Sequence, residues 1–140
     1  MEKEIDWIQI ESLASKVGDA ALLGDLTLEN VHFSELCQHI TEKYFRNGIC
    51  DWRLFETLGD FAPDPSDAVW YLRQSLNAAS EAGVDTTTVV VSLAMRYCYD
   101  YEDYEQAQLL IQGISPGCLA AEDELILKDI RARILRAKEN

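Results

Sequence analysis

The sequence predicts an all-α fold, an array of antiparallel helical hairpins with about six to seven short helices. Three observations carry that expectation. Apolar residues recur at three- and four-residue steps along most of the chain, the spacing that lines one face of a helix. Gly24, Gly48, Gly59, Gly83, Gly113 and Gly117 fall near the ends of those segments, and Pro63, Pro65 and Pro116 stand between them, where helices stop and turns begin. The length of 140 residues with 48% hydrophobic content suffices for one core and is short for two, so a single domain is expected over residues 1–140, with a possible sub-boundary at 60–66.

Taken in order, Ile5, Ile8, Leu13 and Val17 predict a first helix over about Lys3 to Leu23, with Gly18 ending or bending it. Phe33, Leu36, Cys37, Ile40 and Tyr44 predict a second over Leu28 to Arg46, stopped by Asn47-Gly48. A short third helix spans Asp51 to Leu58. Phe61-Ala62-Pro63-Asp64-Pro65-Ser66-Asp67 is the clearest break, because residues before proline are held extended, and Ser66 or Asp67 is the expected cap of the next helix. That helix runs from Asp67 to Ala82. Asp85 caps a fifth over Thr86 to Tyr99, favoured as helix by Val90, Leu93, Ala94, Tyr97 and Tyr101 despite its β-branched opening. Asp103 to Ile114 and Glu122 to Lys138 complete the set.

The chain carries 25 acids against 12 bases, a formal charge of −13. Nucleic acid and anionic membrane surfaces both require clustered Lys and Arg, so neither is an expected partner. The one basic cluster, Lys128, Arg131, Arg133, Arg136 and Lys138, closes the last predicted helix, where positive charge complements the helix dipole. Met1 to Trp7 shows no basic segment followed by an apolar stretch, and no window approaches the ~20 apolar residues of a membrane span. A cytoplasmic location follows as an expectation. Cys37, Cys50, Cys98 and Cys118 form no CxxC pair and have no metal-ligand spacing, so they are expected to be reduced and mostly buried.

Signs of catalysis are absent from the motifs. His32, Glu35, His39 and Glu42 would line one helical stripe, but the two histidines stand roughly 10 Å apart along a helix axis, too far to share one ion. A solvated polar face is the expected role. There is no nucleophile elbow, phosphate-binding glycine loop or zinc-protease motif. No enzyme activity, cofactor or metal is expected.

The strongest feature is Tyr97-Cys98-Tyr99-Asp100-Tyr101-Glu102-Asp103-Tyr104-Glu105, which holds four of the six tyrosines and four acids. Tyrosine favours interfaces because it buries a large rigid ring and keeps a hydroxyl for a partner, and interleaved carboxylates steer a basic partner inward. Tyr97, Tyr99, Asp100, Tyr101, Glu102, Asp103, Tyr104 and Glu105 are therefore candidate partner-binding residues, against the plainer possibility that the tyrosines pack inside a hairpin. Asp60 and Asp64 mark a second acidic candidate patch.

The stretch from Ser92 to Tyr99, followed by Glu102 to Ile111 and then Pro116, resembles one tetratricopeptide-type hairpin over about residues 87–116. In that family an aromatic residue closes the first helix, an Asp-Tyr turn follows, and an Ala three residues later allows close packing; Tyr104 and Ala107 match, and Tyr97 and Tyr99 match approximately. Met95 departs from the usual small residue and Glu102 from the usual Gly, with no second copy at a constant period. The resemblance implies solenoid-like geometry and no activity. In size, acidity and helicity alone, the chain also looks like the small acidic immunity proteins of bacterial competition systems. That likeness implies an inhibitor of a basic toxin, most naturally a nuclease domain; the alternative is a tetratricopeptide-like adaptor or chaperone with a peptide-binding groove.

Overall fold

The computed structural model describes residues 4–115, 117 and 119–139. Seven α-helices and one 3-10 turn account for its regular structure: α1 (Trp7–Leu22), α2 (Leu26–Lys43), the turn Phe45–Asn47, α3 (Trp52–Phe61), α4 (Pro65–Ala82), α5 (Thr87–Asp100), α6 (Tyr104–Ile111) and α7 (Ala121–Glu139). The predicted Pro116 break and Cys118 lie outside the described residues.

Aspartates open most of these helices. Asp6, Asp25, Asp51, Asp64 and Asp103 each accept a hydrogen bond from a backbone N–H in the first turn of α1, α2, α3, α4 and α6. Asp85 does the same one residue before the cap of α5, accepting from Thr87 N at 2.9 Å. Part of the negative charge is thus structural, since a cap carboxylate satisfies otherwise unpaired N–H groups and meets the positive end of the helix dipole. Two boundaries differ from expectation. Helix α4 begins two residues early, with Asp64 as cap and Pro65 at its first position, because proline's fixed φ suits that site and its missing N–H costs nothing there. Gly18 does not end α1, which continues to Leu22; a glycine inside a helix costs only about 1 kcal/mol, less than the packing of this helix returns.

Three hairpins, α1–α2, α3–α4 and α5–α6, follow one another, with α3 against α1 and α2, α4 against α5, and α7 covering α5 and α6. Helices α3, α5 and α7 begin at residues 52, 87 and 121. The latter part of the chain therefore advances in steps close to those of a helical-hairpin repeat, which the sequence alone did not reveal.

Two clusters form the core. In α1–α4, Ile10, Val17, Leu36, Ile40, Tyr44, Leu54 and Leu58 are buried together. In α5–α7, Ala94, Cys98, Ala107, Ile111, Leu127, Ile130 and Ile134 form a second. Close approach of α3 and α4 depends on Gly59, where an added Cβ would lie 2.5 Å from Leu72 Cγ. Tyr44 ties α2 to the start of α1 by accepting from Asp6 N at 2.8 Å.

Candidate functional site

The turn between α5 and α6 brings the predicted cluster together and divides it. Tyr97, Tyr99 and Tyr104 are partly buried against the C-terminal core. Arg73 donates to the Tyr97 hydroxyl at 3.0 Å and lies over its ring. Tyr99 donates to Asp129 Oδ2, and Arg133 covers its ring while pairing with the same carboxylate at 3.0 Å. Burial, then the Asp129 hydrogen bond, push the Tyr99 hydroxyl up to about 12, while that bond and Arg133 hold Asp129 below the usual carboxylate range.

The acids divide likewise. Asp100 pairs with Arg96 at 3.2 Å, and Asp103 caps α6. Tyr101, Glu102 and Glu105 remain exposed. Tyr101 has 47% of its surface in water and lies with Glu102, Asp103, Tyr97, Ser66 and Val69 around a shallow depression of about 630 Å³. Glu102 sits at φ +50, the left-handed region that L side chains rarely occupy. This is the position where the tetratricopeptide-type turn usually has Gly.

Asp64 and Asp60, the second candidate patch, belong to different surroundings. Asp64 is held by the Ser66 N–H and hydroxyl, both at 2.8 Å, which keep its carboxyl below the ordinary range. Asp60 ends α3 beside Arg96, whose Nη2 donates to the carbonyls of Gly59, Asp60 and Ala62 at 3.1, 3.1 and 3.3 Å. Asp60 is exposed as a residue, but burial about its carboxyl and then the charge of Glu56 push it up to about 7, with Ser92 and Arg96 opposing and Asp123 reinforcing the rise. Glu56 is raised too, chiefly by burial, with Thr88 opposing at 3.4 Å and Asp123 reinforcing.

This second group lies on the odd-numbered helices and continues into a groove of about 590 Å³ between α1 and α3, walled by Trp7, Trp52 and Phe61 with Glu11 and Glu56 at its edge. Arg53 also lines it but is held by Asp51 through two contacts of 3.0 and 2.8 Å. The reading of the sequence did not single out Glu11, Glu56, Trp7 or Trp52. The four-residue spacing of Trp52, Glu56 and Asp60 was the signal available.

Histidines and cysteines depart from expectation in part. His32 and His39 are half-buried rather than on a fully solvated face, because the stripe they occupy borders the core positions Phe33, Leu36 and Ile40 on α2. His39 meets Tyr44 edge-on and is held below the usual imidazole range by burial, then by Lys43, with Asp6 opposing. His32 Nδ1 lies 3.5 Å from Glu35 Oε2, an ion-pair distance, yet has no hydrogen bond. Cys98 is buried and Cys37 half-buried, but Cys50 is exposed, since it falls in the loop before α3. Among the described residues, no three His, Cys, Asp or Glu side chains assemble into an ion-holding group, and no helix is long and apolar enough to cross a membrane. In comparisons with known proteins, no family model matches the chain, and no curated protein or solved structure is significantly similar to it.

Proposed function

We propose that the chain is an acidic protein–protein interaction module, a cytoplasmic immunity-type inhibitor that binds and neutralises a basic toxin, with a nuclease domain as its partner. The observation that carries the reading is the strained, exposed Glu102 beside exposed Tyr101 and Glu105. A left-handed glutamate costs of order 1 kcal/mol where glycine would be relaxed, and such strain concentrates at sites of function. It places a carboxylate on a surface with an aromatic anchor, the combination that steers and then holds a cationic partner. The reading gives the chain no catalysis and no cofactor of its own.

A second reading, a tetratricopeptide-like adaptor, is favoured by one specific observation, the tryptophan-walled acidic groove between α1 and α3. One experiment separates the two. Basic ribonuclease- or DNase-type domains encoded beside this protein are titrated with it at low and high salt, following the association rate. The inhibitor reading expects tight binding with a salt-sensitive on-rate, weakened at least about tenfold by joint replacement of Tyr101, Glu102 and Glu105 with Ser. Loss confined to Glu11→Gln/Glu56→Gln transfers the site to the groove, and no binding by any such domain ends the inhibitor reading.

A further inference from the structure

The α1–α2 hairpin ends in leucines that no other described residue covers. Leu22, Leu23 and Leu26 are 89%, 79% and 61% exposed, Leu28 follows them, and every residue from 21 to 28 is exposed. The tip is nonetheless well formed. Gly24 N donates to Ala21 O at 3.0 Å, Asp25 N to Ala20 O at 3.1 Å, and the Asp25 side chain caps α2. Its leucines are therefore displayed by an ordered turn, and a patch of this kind on a small protein marks an interaction surface. Its charge is uniform: residues 19–29 contain Asp19, Asp25 and Glu29 and no Lys or Arg.

The last two helices offer the opposite surface. Between α6 and α7 lies a cleft of about 250 Å³ with Ile111, Ile134 and Leu135 in its lining and Arg131 and Lys138 beside them. Leu109 and Leu135 on the same two helices are 55% and 60% exposed. Residues 128–138 hold five bases and one acid, the only basic stretch in a chain of −13. Helices α1 and α2 pack on each other and on α3, whereas α6 packs on α5 and α7, so the tip belongs to the first hairpin and the cleft to the last two helices.

We propose that the leucine tip of one copy seats in the α6–α7 cleft of a second copy, joining molecules head to tail. The occupant follows from charge. A chain of −13 repels its own copies at long range, but that repulsion is screened beyond about 8–10 Å, and a contact that places an acidic apolar tip on a basic apolar cleft reverses its sign locally. Because the two surfaces differ, each joined pair leaves one tip and one cleft free, so association is open-ended rather than a closed twofold dimer. The contact is separate from the Tyr101–Glu105 surface. A tip of four leucines buries less than the roughly 1,200 Å² of a stable interface, so the association is weak and grows with concentration.

Sedimentation velocity over a concentration series up to about 1 mM, at about 20 mM and about 500 mM salt, reads this directly. The average mass of the wild type should climb above 15.9 kDa with concentration at low salt and return to it at high salt. Leu22→Ser/Leu23→Ser removes the tip, and Leu135→Glu/Lys138→Glu removes the cleft while keeping Arg131, which holds the Ile114 carbonyl at 3.2 Å. All four positions are exposed, so melting temperatures should be unchanged. Each double variant alone should associate at least about tenfold more weakly, and their equimolar mixture should form a one-to-one pair and nothing larger. A wild type that stays at the monomer mass throughout, growth that survives both double variants, or variants that fail to pair with each other would each overturn the proposal.

Discussion

The two cores of this molecule are built differently, and the difference accounts for its most conspicuous sequence feature. Around α1–α4 only three of the eleven clustered buried positions are small, Ala14, Ala62 and Ala68, and the others include Ile10, Leu36, Ile40, Tyr44, Leu54 and Leu58. Around α5–α7 three of the seven buried positions are small, Ala94, Cys98 and Ala107, and Tyr97, Tyr99 and Tyr104 close the rim. Small residues let helices approach closely but bury little area, and an amphipathic ring with a bonded hydroxyl supplies the missing contact at the edge. Three of the four clustered tyrosines thus serve packing, which leaves Tyr101 with Glu102 and Glu105 as the surface open to a partner.

Cavity formation and overpacking break the two cores in opposite ways. Leu36→Ala should cost about 3–4 kcal/mol in urea unfolding, since a fully buried leucine leaves a cavity among α1–α4. In the smaller core the corresponding break is enlargement: Ala107→Leu should cost about 1–3 kcal/mol through displaced α5–α6 packing. A neutral Ala107→Leu would mean that the second core is loosely filled and the comparison fails.

Between the cores stands Arg96, which sits on α5 and caps the last carbonyls of α3. Arg96→Met keeps the aliphatic stem but orphans the Gly59, Asp60 and Ala62 carbonyls and Asp100, and should cost about 2–3 kcal/mol. Arg96→Lys should recover only part of that, because one ammonium does not reproduce a planar fork of donors.

Asp60 sharpens the comparison through pH. Its folded value of about 7 lies above the ordinary 3.8, so between these values the folded state binds the proton that the unfolded state has released. Stability from this group is therefore fully present below pH 3.8 and is lost as pH rises through about 7. Asp60→Asn should flatten that slope and raise the melting temperature at pH 8 more than at pH 5, measured by calorimetry at both values.

Much of the fold was legible before the structure. Gly48, Gly83 and the Pro63–Pro65 break punctuate the helices, and Asp85 and Asp103 announce helix starts. Asp64-Pro65-Ser66-Asp67 was ambiguous because Asp64, Ser66 and Asp67 are all good helix caps, and only the observed bonds to Asp64 decide among them. Gly18 misled because tertiary packing overrides a weak local preference. The candidate site was half legible. Local spacing assembled the Tyr97–Glu105 cluster, but which members face inward depends on Arg73, Arg133 and Asp129, distant residues that no window along the chain connects. Glu56 and Asp60 of α3 meet Thr88, Ser92 and Arg96 of α5 for the same long-range reason.

The division of the α5–α6 turn into a packing side and a free side is tested most directly by urea unfolding of two variants. Tyr99→Phe removes the hydrogen bond to Asp129 and should lower stability by about 1 kcal/mol. Glu102→Gly relieves a left-handed glutamate on the free side and should leave stability unchanged or raise it by up to about 1 kcal/mol. A stable Tyr99→Phe together with a destabilised Glu102→Gly would contradict the account.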